Sequence, residues 1–530
     1  MTMQAPEQEA AARLRRDPHD GEALIHLAVI RYQQGQGDEA MQLARRVSSS
    51  APQFGPANLV LAQLAGDRGQ TDNERRHLAA AFKVGTIPEP AVERLIRLMV
   101  DAGDGELARE LLPLMLQRTG NIDLLTAAAT QGLALGATDA ALDLLDRIAT
   151  QTGNAAAIYN HATALKQAGQ AEAALAGFRR CLEADPEFAA AHHNLGNVLI
   201  DLDRTTEAAE HYLAATWIRR APHADTAWNP KLFDFTTRTK LRHDLDQFAL
   251  IKAEGIDVPE LDTVIDAYGE ALARLPNAAD DTQVVELPAA AGAQLAPLYN
   301  RLHHLQPAGR LPGPAVNPAL DGPRLVEAYR DNGPGWVVID DFLTPEALDA
   351  LLAYCRLSTF WFNFYYRNGY LGTSIETGFA APLLLQIAEE LRAKVPELLA
   401  PHPLRKCWSF KKCSGEGKAV ALHADFAAVN SNFWITPDEA NLDPEGGGLI
   451  VWDKEAPADW DFADYNRDNE KSRGFLRDSG AKPLNVPYRQ NRMLVFNSDL
   501  FHESGPVHFK PGYLNHRLNI TMLFGHRDRA

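Results

Sequence analysis

The stretch Ala419-Val420-Ala421-Leu422-His423-Ala424-Asp425-Phe426 decides how the C-terminal part of this 530-residue chain is read. It is an apolar run of strand length, interrupted by a histidine and a carboxylate two residues apart. Side chains of a strand alternate faces with period two, so a strand over 420–426 points His423 and Asp425 the same way, about 7 Å apart along the chain. That spacing suits two ligands of one metal ion.

A third ligand is found in Phe496-Asn497-Ser498-Asp499-Leu500-Phe501-His502, after the apolar run Met493–Phe496. His502 is favoured over His508, which lies beyond the turn pair Gly505-Pro506, and over His516, which directly precedes Arg517 and faces the opposite way. Two histidines and one carboxylate on one side of a metal form the facial set of non-haem Fe(II), with positions left open. Further on, Leu518, Ile520, Met522 and Phe524 alternate with Arg517, Asn519 and Thr521. A strand with a polar face inside an apolar domain lines a cavity, and the planar fork of Arg517 suits a carboxylate there.

In this order, H-x-D, a later histidine and an arginine on a strand resemble the Fe(II)/2-oxoglutarate-dependent oxygenases, in particular the prolyl-hydroxylase-like branch and its members fused to tetratricopeptide repeats. The resemblance covers roughly residues 335 to 526. It implies a jelly-roll (double-stranded β-helix) with flanking helices and makes His423, Asp425 and His502 the iron ligands. It also makes Arg517 the partner of the distal carboxylate of 2-oxoglutarate, with O2 as oxidant. Retention of Asp425 implies hydroxylation rather than halogenation. Asn432 and Thr521 are further candidates for co-substrate contact, and Tyr370 for substrate contact. The interval from His502 to Arg517 implies an insertion over Val507–Asn515, and Cys413 stands where the resemblance leads one to expect a tyrosine.

The N-terminal part repeats itself. Phe178 falls over Tyr212 and Leu165 over Leu199 with a 34-residue period, and alanine or glycine recurs where paired helices must cross. The units ending at Pro186 and beginning at Ala189 resemble tetratricopeptide repeats, as does an earlier one marked by Leu27, Ala28, Ala40 and Pro52. Three regions follow: a repeat solenoid over 1–222, a helical and Pro/Gly-rich connection over 223–334, and the oxygenase jelly-roll over 335–530. In the connection, Lys240–Gly255 reads as an amphipathic helix with Leu245, Phe248, Ala249 and Ile251 on its apolar side. His243 and Asp244 have a packing or solvated role there. The aromatic segment Phe360–Gly372 reads as strand core, and the polar segment Asp459–Asn485 as an insertion bordering the mouth of the site.

A net charge of −17 argues against non-specific nucleic-acid binding, which needs clustered Lys and Arg. Four cysteines without a CxxC pair fit reduced thiols and a cytoplasmic setting. The N-terminus lacks the pattern of a secretory signal, and no run of about 18 apolar residues suggests a membrane span. The expected enzyme hydroxylates a protein or peptide side chain presented by the repeats. Two alternatives stay open: a small-molecule, amino-acid-like hydroxylase whose repeats make a homodimer, and a non-catalytic repeat scaffold.

Overall fold

The computed structural model describes residues 5–275, 281–287, 295–366, 369–413 and 421–526. They fall into two compact units, Met1–Pro186 and Glu187–Ala530. The division lies ahead of residue 222, and residues 223–334 belong to the same unit as the C-terminal sheets.

In the first unit, successive helices pack in pairs, such as Phe54–Asp67 with Thr71–Val84 and Ala155–Gln167 with Ala171–Ala184. The second unit opens on a pair of the same kind, Ala189–Asp201 with Thr205–Arg220. From Ala155 to Ala189 and from Ala171 to Thr205 is 34 residues in each case, so the sequence period is the period of the helices. Small residues sit where the helices of a pair cross. A Cβ on Gly196 would stand 2.7 Å from the Tyr212 ring, which would force the two helices apart.

The helix Arg238–Ala253 forms near its expected place, but its buried face is not the apolar one read from the sequence. Ala249 is exposed and Leu245 half-buried, while Lys240, His243, Asp244 and Gln247 are buried beside Leu241, Phe248 and Ile251. Partners within the helix and far along the chain explain the rotation. Lys240 pairs with Asp244 at 2.5 Å, His243 Nδ1 lies 2.9 Å from the same carboxylate, and the Gln247 amide donates to the carbonyls of Arg356 and Ser358. Buried polar groups cost little when each finds a partner.

The strands are β1 (Phe235–Thr236), β2 (Val285–Glu286), β3 (Trp336–Ile339), β4 (Tyr370–Ser374), β5 (Leu404–Lys412), β6 (Val429–Trp434), β7 (Leu449–Glu455), β8 (Pro483–Val486), β9 (Met493–Asn497), β10 (Leu500–Ser504) and β11 (Arg517–Phe524). The main sheet is six-stranded and antiparallel, in the order β3-β9-β6-β11-β5-β4. A three-stranded sheet has the order β10-β7-β8, and β1 pairs with β2. Trp434, Leu449, Val451, Leu494, Phe496 and Leu500 form one core cluster, drawn from both larger sheets. Thr344 caps the helix Pro345–Leu357 by accepting from the Ala347 amide, with proline at the first helical position as its sequence suggests.

Two further expectations are corrected. Residues 421–426 form no strand, and Ala419 and Val420 lie outside the described residues. Among the described residues 421–426 the ladder contact is the isolated bridge of His423 to His502, after which the chain bends into β6. The aromatic segment contributes only its end to a strand, β4. Phe360, Trp361, Phe362 and Phe364 are buried, whereas Tyr365 and Tyr366 are 44% and 39% exposed.

Candidate metal centre

The bridge sets the geometry of the centre. His423 and His502 exchange main-chain hydrogen bonds of 3.0 and 2.8 Å, which brings their rings to 4.3 Å between centroids. Asp425 follows at the bend, its amide donating to the Ser498 carbonyl at 3.1 Å. One ligand atom from each of His423, Asp425 and His502 lies within 4.8 Å of the others. His502 Nε2 is 3.5 Å from Asp425 Oδ2, and His423 Nε2 is 3.8 Å from Oδ1. The structure therefore brings the three together although two of them stand outside any strand.

The donor set fits a metal. Each imidazole places Nδ1 against a main-chain carbonyl, His423 on Ala421 at 2.8 Å and His502 on Leu500 at 3.1 Å. An Nδ1–H held in this way leaves the Nε2 lone pair facing the common point. Burial pushes the His423 imidazole below its ordinary pKa, helped by neighbouring His502. Burial alone would raise the Asp425 carboxyl, but His502, His423 and the Asn430 amide together hold it below the usual range. Neutral imidazoles beside an ionised carboxylate are the metal-binding forms.

Asn430 was not singled out by the sequence, yet its Nδ2 donates to Asp425 Oδ2 at 2.6 Å. Such a partner orients a carboxylate ligand and typically accounts for 10–100-fold in metal affinity. Asn430→Ala is therefore expected to weaken Mn(II) binding by roughly that factor, read by calorimetry, with little change in the far-ultraviolet dichroism. Unchanged affinity would remove Asn430 from the site.

A cavity of about 630 Å³ opens beside the three ligands and is also lined by Asn432, Arg517, Asn519 and Thr521. The polar face of β11 is thus the cavity face, as its alternation suggests. Arg517 is 2% exposed; its Nε donates to the Gly447 carbonyl at 2.5 Å and its Nη1 to Asn519 Oδ1 at 3.1 Å. Among the described residues it has no carboxylate partner, and burial lowers its pKa. Asn432 donates to Thr521 Oγ1 at 2.8 Å, and its own Oδ1 is buried without a partner. Tyr370, in register with Lys412 and across it with Arg517, is buried behind the cavity lining, close to Ser504 and Arg517, which do line it. Of these groups, the Arg517 guanidinium, buried in the lining without an acid partner, fits a carboxylate bound in the hollow.

Cys413 is not in this cavity. It follows β5 with the period-two phase of Lys411, whose face turns away from Phe410 and Lys412. Cys413, His243 and His516 gather elsewhere, with ligand-type atoms within 4.8 Å of one another. Both nitrogens of His243 are already engaged there, by Asp244 and by Lys411 Nζ at 3.0 Å. His508 and His516 line a separate hollow, and neither is among the three residues that converge in the first centre. The insertion over 459–485 does reach the cavity, since Phe462 and Asn466, in the short helix Phe462–Asn466, line it.

Comparisons bear mainly on the helical region. Solved structures similar to part of the chain include YrrB, described as a tetratricopeptide-repeat protein with an unusual peptide-binding site, at 15% identity over 40% of this chain and 93% of that one, with a TM-score of 0.21. A fragment of MamA from Desulfovibrio magneticus RS-1 is 14% identical over 37% of this chain and 94% of its own, with a TM-score of 0.18. The Cut9–Hcn1 hetero-tetramer of APC/C is 17% identical over 40% and 42%, with a TM-score of 0.20. No curated protein matches the chain. No helix among the described residues is long and apolar enough to cross a membrane. Residues 12–232 match the family model for the tetratricopeptide repeat, and the chain therefore carries a tetratricopeptide-repeat domain at its N-terminal end.

Proposed function

We propose that the second unit is an Fe(II)- and 2-oxoglutarate-dependent dioxygenase of jelly-roll type, which hydroxylates a protein or peptide side chain presented by the repeats. The observation that carries this reading is the pair of histidines and the carboxylate converging on one point, with a buried arginine lacking an acid partner in the same cavity. Two antiparallel sheets sharing one core and opening onto that cavity support the fold assignment.

The roles of the chain's own residues follow. His423, Asp425 and His502 would hold the metal, and Asn430 would keep Asp425 oriented. Arg517 would bind the distal carboxylate of 2-oxoglutarate, with Tyr370, Asn432 and Thr521 positioned as neutral donors and acceptors near it. Tyr370 would then supply the contact for which the sequence offered only Cys413. Apolar walls such as Trp408 and Phe410 exclude water and strengthen each charge interaction inside. Bound iron would supply oxygen activation, coupled to oxidative decarboxylation of the co-substrate to succinate.

The repeat domain alone fits a second reading, a protein-interaction scaffold without catalysis. One experiment separates the two. Calorimetry of the full chain with Mn(II) and 2-oxoglutarate under anaerobic conditions should give saturable binding of both. Fe(II)-loaded protein supplied with oxygen should then form succinate and, in lysate of its source, add one oxygen to a target by mass spectrometry. Absence of metal and 2-oxoglutarate binding would leave only the scaffold.

A further inference from the structure

Resting on the oxygenase reading, we infer that Arg220 is a substrate-binding residue and that the substrate carries a carboxylate. Arg220 ends the helix Thr205–Arg220, inside the stretch that matches the repeat family, yet it lines the same cavity as the metal ligands. A charged residue at the C-terminal end of a repeat helix ordinarily faces water and favours the helix dipole. This one is 5% exposed.

Its surroundings hold it in place without neutralising it. Nη1 donates to the Asn300 carbonyl at 3.0 Å, and the guanidinium lies 4.0 Å from the centre of the Phe362 ring, with Phe233 and Trp228 at 5.4 Å. Among the described residues no carboxylate pairs with it. Burial, added to by neighbouring Arg301, pushes its pKa down to about 9. A buried cation with no counter-ion is costly unless a ligand completes it.

Charge balance points the same way. In a chain of net charge −17, the described lining of this cavity holds two arginines and a single carboxylate, Asp425, which is committed to the metal. With a divalent ion and a dianionic co-substrate in place, one positive charge is left over. Arg517, on the sheet, serves the co-substrate; Arg220, on a different element, remains for the substrate. Half-exposed Tyr365 and Tyr366 also line the hollow and give the rest of the substrate an aromatic surface.

The test is a binding measurement on the full chain, saturated with Mn(II) and 2-oxoglutarate so that Arg517 is occupied. Saturation-transfer NMR and intrinsic tryptophan fluorescence follow titration with N-acetyl-glutamate amide, N-acetyl-glutamine amide, free glutamate, and a nine-residue peptide with a central glutamate. The inference expects the acid probes to bind at least tenfold more tightly than the amide, and expects Arg220→Gln to erase that preference while Arg220→Lys retains part of it. Arg301→Gln, a buried arginine outside the described cavity lining, should leave it intact. The relative affinities of free glutamate and the peptide decide whether the carboxylate comes from a small acid or a polypeptide side chain. Equal binding of acid and amide, or an acid preference that survives in folded Arg220→Gln, overturns the inference. If Arg220→Gln does not fold, the wild-type preference for acid and its weakening by salt still decide. Failure of Mn(II) or 2-oxoglutarate to bind at the outset is a different result, and it removes the oxygenase reading itself.

Discussion

Replacing His423 by alanine is expected to lower 2-oxoglutarate turnover by more than ~100-fold and to weaken Mn(II) binding by at least as much. The bound follows because loss of a partner that merely orients a ligand already costs 10–100-fold, and loss of the ligand itself must cost more. The fold should survive. His423 contributes a main-chain bridge that alanine can make equally well, and its side chain sits against the cavity rather than within an apolar cluster. His502→Ala and Asp425→Ala should behave alike in turnover, and combining any two should add little, since groups acting as a unit are not additive. Succinate formation in the alanine variant at more than a tenth of the parent rate would refute the ligand assignment.

Arg517→Gln is the second large effect. Truncating one partner of a buried, hydrogen-bonded charge pair costs ~2–5 kcal/mol, or roughly 30- to several-thousand-fold, and here the loss should fall on the KM for 2-oxoglutarate. Turnover at saturating co-substrate should change much less, because the contact is made equally in ground and transition states. Arg517→Lys should recover part of the affinity, since it restores the charge without the planar fork. Without ligand, the glutamine variant gives up the bonds to the Gly447 carbonyl and Asn519 together with a buried charge that has no acid partner, so stability should change less than co-substrate affinity. A KM unchanged within threefold would mean that the distal carboxylate binds elsewhere.

Much of this site was legible in the sequence because its signals are local. Alternation along Arg517–Phe524 marks a strand with one polar face whatever its neighbours are, and the structure keeps every one of its residues buried. The 34-residue period similarly needs no tertiary information. What escaped depended on partners far away in the chain. A strand over 420–426 looked right by composition, but among the described residues 421–426 the one ladder partner is His502, opposite His423. The helix Arg238–Ala253 turned its polar side inward because Arg356 and Ser358 offer carbonyls to Gln247. Arg220 gave no signal at all: at a helix end it looks like any solvated arginine until Phe362 and Asn300 close around it.

The carbonyls of Ala421 and Leu500 that hold the two imidazoles belong to the main chain. Each is the acceptor of a histidine two positions further on, so both rings are steered by their own segments. No side-chain replacement at 421 or 500 can delete such an acceptor. The tautomer of both histidines is therefore insulated from mutational drift around the centre, and only a change in backbone path could undo it. Asp425, steered by a replaceable amide, is where this centre is open to tuning.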